Sequence, residues 1–295
     1  MMEELRKYAR ELLENKEAAA VIGYVRVSEK RTRPAVITKP EDTQALVIDE
    51  YCLNNLSVYL TKARIKALCR TKEKQLKLAL VAKPCDVHSI IALIQENQIH
   101  RDDIIIIGIN CSGVVKDFGL EFNGENLASK CIHCESQRPL YFDKLFGEEK
   151  KIPETEDKQL KKIEELEAMT SEERFGFFKK EFDKCIKCYA CRAVCPLCYC
   201  QRCITDKTIP CWIESSSHSR GNFAWNLVRA FHLSARCTGC GECERACPMD
   251  IPLGLINRTM AIEAKKSFSY VSGRSLEIPT LVGSFDIKDS DELFM

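Results

Sequence analysis

The sequence lacks an excess of charge of either sign. Its 295 residues contain 44 Lys and Arg against 43 Asp and Glu, so the formal net charge is +1. Proteins that bind nucleic acid present a basic surface to the phosphates, and this composition provides no such surplus. We therefore expect no nucleic-acid partner.

Long hydrophobic runs are also missing. Aliphatic stretches such as Ile104–Ile107 are far shorter than the ~20 apolar residues that a membrane-spanning helix needs. The amino-terminal segment, MMEELRKYARELLENKEAAA, contains neither the apolar core nor the small-residue cleavage site of an export signal. These absences predict a cytoplasmic protein without a membrane span.

Cysteine, in contrast, is abundant and unevenly distributed. Of the 18 cysteines, 12 lie between residues 185 and 247, and six precede them. A disulfide framework needs an oxidising compartment, so clustered cysteines in a chain without an export signal are typically metal ligands or redox thiols. The composition predicts metal binding in a reducing, anaerobic cytoplasm.

The first half of the chain alternates between short apolar runs and stretches in which apolar residues have helical spacing. A helix is predicted at the amino terminus, and two more over Tyr51–Lys62 and Asp86–Asn97. The apolar runs predict strands at Val21–Ser28, Ala45–Ile48, Leu76–Ala82 and Ile104–Ile109. This alternation predicts an α/β domain over residues 1–145, with a parallel or mixed sheet.

Three further regions follow this domain. Residues 146–180 are rich in charge, contain the helix breaker Pro153, and are predicted to form a charged helical linker. Within it, Thr170 and Glu173 have the spacing of a capping box, which predicts a helix start. Residues 181–262 are expected to form a helical, loop-rich domain, and residues 263–295 a tail that is either disordered or a docking strap.

Two similar cysteine runs dominate the second half of the chain, and each is followed directly by a proline. Such a run gives three thiolates to one cubane and a fourth to the neighbouring cubane. We therefore predict two [4Fe-4S] clusters with crossed ligands. Their ligands are Cys185, Cys188, Cys191 and Cys247 at centre one, and Cys237, Cys240, Cys243 and Cys195 at centre two. Zinc is the alternative, although its sites more often combine two separated pairs of ligands.

A further set of thiols lies between the runs: Cys198, Cys200, Cys203 and Cys211. Four thiolates can hold one cubane or one structural zinc ion, and the single-residue step from Cys198 to Cys200 is unusual for either. We favour a cluster because the neighbouring cysteine runs are typical of iron-sulfur sites.

A helix is predicted after this set. Phe223, Leu227 and Phe231 follow one another at intervals of four residues. This spacing places the three side chains on one helix face, which we expect to pack over the clusters.

Two cysteines of the α/β domain follow predicted strands. Cys85 comes after the strand Leu76–Ala82, and Cys111 after the strand Ile104–Ile109. Both therefore lie at the carboxyl edge of the sheet, where open α/β sheets bind ligands. If the loop with Cys131 and Cys134 folds back over this edge, four thiolates meet in a third cluster, which we call the rim site. The alternative is that Cys85 and Cys111 are buried apolar residues, as we expect Cys52 and Cys69 to be.

These motifs together resemble a known family. The turn Ala82–Asp86 (AKPCD), the strand end Gly108–Cys111 and the following Cys-x-x-Cys loop resemble the β subunits of deazaflavin-coenzyme-reducing hydrogenases and formate dehydrogenases. The segments CIKCYACRAVCPLCYCQRC and CTGCGECERACPMDIP resemble the dicluster ferredoxin subunits attached to heterodisulfide-reductase-type complexes. The resemblance implies a subunit of a cytoplasmic hetero-oligomer. Its partners would be hydrogenase or dehydrogenase, flavin-bifurcating and heterodisulfide-reductase-like subunits.

One feature of that family is missing. Flavin-bearing members have a glycine-rich segment early in the β domain, whereas the corresponding stretch here, DEYCLNNLSVYL, contains no glycine. No Gly-x-Gly-x-x-Gly motif occurs between residues 1 and 150 either, so the backbone cradle for a pyrophosphate is not evident. The sequence therefore does not predict FAD.

Two functions remain open, and a third is less favoured. We favour a non-catalytic electron-transfer subunit that relays single electrons through at least two clusters, or three or four if the other cysteine sets also bind them. The alternative is an FAD-containing dehydrogenase β subunit that exchanges hydride with a deazaflavin or nicotinamide and passes electrons to its own clusters. A zinc-stabilised interaction scaffold is the third.

Overall fold

The computed structural model describes residues 1–70, 75–285 and 287, and it divides the chain into two compact units. The first unit is Met1–Glu156, and the second begins at Asp157. The division falls within the charged stretch for which the sequence predicts a linker.

The first unit is built on a five-stranded mixed sheet. Its strands are β1 (Ala18–Ser28), β2 (Arg31–Ile37), β3 (Lys77–Ala82), β4 (Ile104–Ile109) and β5 (Lys144–Phe146), in the spatial order β2-β1-β3-β4-β5. Strands β1 and β2 form an antiparallel hairpin, and the other neighbouring pairs are parallel. The predicted α/β domain with a mixed sheet is therefore confirmed.

The sheet is buried because helices pack on it. Helix α1 (Met2–Glu14) places Leu5 and Leu12 in one apolar cluster with Val21, Ala79 and Ile107 of three different strands. Strand β4 is buried at every residue, and β3 at every residue except its first. Parallel strands that are covered on both faces carry continuous apolar runs, which explains why these two could be predicted.

Helix α2 (Pro84–Gln95) follows β3 directly, and the remaining helical segments of the first unit are short. The α-helical ones are Ala63–Lys66 and Ser129–Ile132. The 3₁₀ segments are Pro40–Ala45, Leu56–Thr61, Ala67–Cys69 and Arg101–Asp103.

Two predicted elements of the first unit are wrong. The stretch Ala45–Ile48 is not a strand, because Leu46 makes only an isolated bridge with Val25 and its side chain packs closely over Gly23. The stretch Tyr51–Lys62 is helical only as the 3₁₀ segment within it. Both stretches are apolar because they are buried, and burial alone does not specify a backbone conformation.

Two edge strands were missed. Strand β2 reads RTRPAVI, whose charges and proline argue against a central strand, but Pro34 is tolerated because it lies at the edge of the sheet. Strand β5 has three residues and is also at an edge. So short a segment gives no recognisable alternation of apolar and polar residues.

The second unit is helical. Its longer helices are α3 (Lys158–Ala168), α4 (Ser171–Asp183), α5 (Ser219–Leu233) and α6 (Leu253–Phe268). The short helical segments are Ala190–Ala193, Ile204–Asp206, Glu242–Arg245 and Leu281–Gly283. The predicted capping box is confirmed: Thr170 Oγ1 accepts a hydrogen bond from the Glu173 amide, and the Thr170 amide donates to Glu173 Oε2 at 2.8 Å.

The helices of the predicted linker belong to the core of this unit. Ile163 and Leu166 of α3 pack against Leu255 of α6. The start of α3 is also held by an ion pair between Asp157 and Arg258, with an N–O distance of 2.7 Å. The residues after Asp157 are therefore not a free connector, although their high charge suggests one.

The face that α5 buries differs from the predicted one. Trp225, Arg229 and Leu233 point inward, whereas Phe231 is 60% exposed. Phe223 is partly buried and packs on the ring of Phe182. When a helix carries apolar residues on more than one side, its sequence alone does not determine which face packs inward. The neighbouring elements determine it.

The tail also begins later than predicted. Helix α6 runs to Phe268, and Tyr270 and Ser272 beyond it are buried, with Ser272 Oγ donating to the Arg236 carbonyl at 2.9 Å. The first part of the predicted tail is thus docked on the second unit. The acidic segment that closes the chain lies outside the described residues apart from Ile287.

None of the helices in the described part of the chain combines the length and the apolar character that crossing a membrane requires.

The packing of α4 yields a test of stability. Phe182 is 1% exposed, so Phe182→Ala should lower the free energy of unfolding of the second unit by about 3–5 kcal/mol through the cavity that it leaves. The matched control is Phe175→Ala on the same helix, where a ring that is 54% exposed should cost about 1 kcal/mol at most. Anaerobic urea denaturation followed by circular dichroism measures both, and equal losses would contradict this packing.

Candidate metal centres

One cavity of the second unit brings together the thiols predicted for centre one. Cys185, Cys188, Cys191 and Cys247 line it, with apolar side chains that include Trp225. Three of these thiols come from the first cysteine run and the fourth from the second. Four thiols around an apolar cavity are the donor set that suits a cubane.

The thiols predicted for centre two are also close to one another. Burial raises the pKa of Cys237 to about 12 and that of Cys240 well above its usual range, and the negative charge of Cys195 adds to both shifts. The same charge acts on Cys243, whose pKa burial also raises. The fourth cysteine of the first run therefore lies among the first three cysteines of the second run.

The two cysteine loops share a backbone conformation. Lys187 and Tyr189 have positive φ angles of 53° and 57°, and Gly239 and Gly241, at the equivalent positions of the second run, have φ angles of 71° and 68°. Side chains other than glycine rarely adopt this region, and where they do it often marks a functional site. The first loop thus takes, without glycine, the turn that the second loop takes with it.

These turns direct backbone amides at sulfur. The Lys187 amide donates to Cys185 Sγ at 3.4 Å, and the Gly239 amide stabilises the Cys237 thiolate in the same way. In addition, Asn257 Nδ2 of α6 lies 3.5 Å from Cys243 Sγ. Hydrogen bonds to the ligating sulfurs are one of the means by which a protein sets the reduction potential of a cluster.

The thiols of the additional set differ in their surroundings. The Cys198 thiol donates a hydrogen bond to Cys195, which lowers the pKa of Cys195 and raises that of Cys198. Cys200 and Cys211 are exposed, and Cys211 Sγ lies 3.4 Å from the Ile213 carbonyl. Cys203 precedes the segment Ile204–Asp206. The structure therefore connects Cys198 with centre two.

The rim thiols of the first unit lie at the carboxyl edge of the sheet. Cys85 is in the first turn of α2, directly after β3, and Cys111 follows β4. Burial raises the pKa of Cys111 to about 11, and the charges of Cys131 and Cys134 add to the shift. Burial also raises the pKa of Cys85, with Cys111 among the contributing charges. Cys111 therefore lies within electrostatic reach of each of the other three thiols.

The loop that carries the last two of these thiols folds back over the edge. The Ala128 amide donates to the Val114 carbonyl at 2.9 Å, and Cys131 packs beside Gly113. Gly113 has a φ of 104°, and its amide donates to Cys111 Sγ at 3.4 Å. The same amide-to-sulfur hydrogen bond, from the residue two positions after the cysteine, is present at Cys185.

Sequence reasoning missed a buried lysine beside this site. Lys83 is buried, and its Nζ lies 3.0 Å from Asp86 Oδ2 and 2.9 Å from the Asn54 carbonyl, and it donates to the Tyr24 hydroxyl. Burial alone would lower its pKa, but the charges of Asp86 and the nearby thiols outweigh burial and raise it. The pattern Lys-Pro-Cys-Asp directly after a predicted strand was the only sign of this lysine in the sequence.

Asp86 connects the start of α2 with the neighbouring backbone through hydrogen bonds. Its carboxylate accepts hydrogen bonds from the Lys83 amide at 2.8 Å and from the Leu56 amide at 2.6 Å. It thereby caps α2 and places Cys85 in the first turn of the helix, and its charge adds to burial in raising the pKa of the Cys85 thiol.

A cavity of about 590 Å³ opens at the same edge of the sheet. Its lining residues with titratable groups are Met1 with the amino terminus, Glu4, Asp49, Glu50, Lys83, Cys111, Glu148 and Lys150. The four carboxylates outnumber the three amines, and two of the amines are already paired, that of Lys83 with Asp86 and the amino terminus with Glu4. These residues do not fit the pyrophosphate of FAD, which needs donors and positive charge.

Within residues 1–70, 75–285 and 287, no three side chains of His, Cys, Asp or Glu form a group that could hold a metal ion by themselves.

Comparison with known proteins identifies the type of domain and the relatives. Residues 233–252, which contain the second cysteine run, match the family model for a 4Fe-4S binding domain. The chain is 29% identical to F420-dependent formate dehydrogenase subunit beta of Methanocaldococcus jannaschii, across 70% of this chain and 76% of that protein. It is 23% identical to F420-dependent formate dehydrogenase 1 subunit beta of Methanococcus maripaludis, with the same coverage of 70% and 76%. The chain thus carries a 4Fe-4S binding domain and is similar, over most of its length, to the β subunits of deazaflavin-dependent formate dehydrogenases, which confirms the resemblance seen in its sequence.

Proposed function

We propose that the chain is an electron-transfer subunit of a multi-subunit oxidoreductase of the F420-dependent formate dehydrogenase type. It relays single electrons between a dehydrogenase, hydrogenase or flavin-containing partner and a heterodisulfide-reductase-like module. The observation that carries the proposal is the meeting of thiols from both cysteine runs in one cavity. The similarity to subunits of formate dehydrogenases supports a hetero-oligomer with protein partners.

The proposed ligand sets are those of crossed ligation. Cys185, Cys188, Cys191 and Cys247 hold centre one, and Cys237, Cys240, Cys243 and Cys195 hold centre two. A [4Fe-4S] cluster stores and passes one electron at a time. The chain supplies a thiolate at every iron of both centres, so no coordination position is left for a substrate. This favours relay over chemistry at the irons.

The two centres differ in the exposure of their thiols. Cys188 of centre one is exposed, whereas Cys240 and Cys243 of centre two are buried. Electron transfer between proteins needs a centre close to the surface of each partner. We therefore propose that centre one faces a redox partner and that centre two passes electrons within the protein.

We propose a third cluster at the rim site, held by Cys85, Cys111, Cys131 and Cys134. Its support is the folded-back loop and the amide-to-sulfur hydrogen bond at Cys111. For Cys198, Cys200, Cys203 and Cys211, a cluster or a zinc ion remains the hypothesis from sequence. The iron content distinguishes the two.

Cofactor content tests this function against the FAD-containing alternative. Protein purified without oxygen should contain about 12 irons per chain for three clusters, or about 16 for four, with matching acid-labile sulfide. Denaturation should release no flavin, because the acidic cavity of the first unit does not suit a pyrophosphate. About eight irons with stoichiometric flavin would favour the dehydrogenase alternative, and a colourless protein without a reducible centre would refute the proposal.

Crossed ligation predicts which substitutions damage the same cluster. Cys191→Ala and Cys247→Ala should weaken one paramagnetic signal of the reduced protein, because both thiols line the cavity of centre one. Cys195→Ala and Cys243→Ala should weaken the other signal. Electron paramagnetic resonance with iron analysis measures this, and loss of the same signal in Cys191→Ala and Cys195→Ala would contradict crossed ligation.

The rim site has its own test. Cys85→Ala should lower the iron content by about four atoms per chain, because one thiolate of the proposed third cubane is removed. The matched control is Cys69→Ala, which alters a buried thiol of the same unit that lies in the short segment Ala67–Cys69. If both variants keep the iron of the native protein, Cys85 is a packing residue and the rim site does not bind a cluster.

A further inference from the structure

Arg229 of α5 lies between the thiols of the two ferredoxin-type centres. Its side chain is 4% exposed, and Nη2 donates to the Cys191 carbonyl at 3.2 Å. The guanidinium also lies within electrostatic reach of Cys243 and Cys195, and Cys243 packs in the same buried cluster as Cys191. One buried cation therefore contacts a proposed ligand residue of centre one and lies within electrostatic reach of two proposed ligands of centre two.

This guanidinium has no carboxylate partner among the described residues, and its Nε has no hydrogen-bond partner there. Other arginines of the same unit are paired: Arg192 with Asp206, Arg245 with Glu242 and Arg258 with Asp157. An unpaired buried charge destabilises a protein by several kcal/mol. The negative groups around Arg229 are cysteine sulfurs, which carry charge when they ligate iron.

A fixed positive charge favours whichever redox state is more negative. Reduction adds one electron to a cluster, so a nearby guanidinium stabilises the reduced form and raises the reduction potential. The effect is strongest where burial keeps water from screening the charge. Cys195 and Cys243 both belong to centre two, and only Cys191 belongs to centre one.

We propose that Arg229 is a positioning residue of the electron relay, which raises the reduction potential of centre two relative to centre one. This inference rests on the proposed function, since it requires both clusters. Electron transfer from centre one, with its exposed thiol, to the buried centre two is then thermodynamically favoured.

Potentiometric titration followed by electron paramagnetic resonance tests the inference on the full-length protein. Arg229→Gln should move the midpoint of the centre-two signal to a more negative potential and move centre one less. Arg229→Lys keeps the charge and should stay closer to the native value than Arg229→Gln. Arg220→Gln is the matched control, because that arginine of the same helix is 83% exposed, pairs with Glu214 and should move neither midpoint.

The outcomes separate the two proposals. If Arg229→Gln keeps its iron and both midpoints are unchanged, Arg229 has no role in the potentials. If Arg229→Gln loses the iron of centre two, the midpoint of centre two is measured in Arg229→Lys. A native midpoint in Arg229→Lys supports the role of the charge, and a shifted midpoint at full iron content overturns it. If the native protein shows no reducible centre at all, the proposed function itself fails.

Discussion

The second unit depends on one long-range constraint: the last cysteine of each run must reach the other run. Cys247 lines the cavity of Cys185, Cys188 and Cys191, and Cys195 lies among Cys237, Cys240 and Cys243. The two runs are separated by more than forty residues of sequence, so the chain must bring both loops to the same place. Helix α5 lies between the runs in sequence, its residue Trp225 lines the cavity of centre one, and its residue Arg229 donates to the Cys191 carbonyl.

The metal centres therefore share their core with the hydrophobic packing. Phe182, Trp225 and Ile251 belong to the same apolar cluster as Cys191 and Cys243. Because the proposed ligand thiols are part of this core, metal binding and folding are expected to be coupled in this unit. The first unit uses a different principle, in which a buried sheet presents the thiols at the carboxyl ends of two parallel strands, as α/β folds commonly do with their sites.

Sequence reasoning succeeded where the signal is local. Strands β3 and β4 were predicted because continuous apolar runs report burial on both faces, and the start of α4 because Thr170 and Glu173 satisfy each other's backbone within one turn. It failed where contacts between distant parts of the chain determine the backbone conformation. The stretch Ala45–Ile48 has the composition of a strand, but Leu46 packs over Gly23, and edge strand β2 forms in spite of its proline.

By itself, the sequence determined the chemistry: the spacing of the thiols predicts cubanes, and the amino-acid types at the strand ends predict a site on the sheet edge. Only the tertiary structure decided which charged groups surround those thiols. Lys83 and Arg229 are ordinary basic residues in the sequence, and their burial beside sulfur follows from how strands and helices pack. The physical reason is that ligand spacing is a property of a few neighbouring residues, whereas the electrostatic environment of a site is summed over elements that are distant in the chain.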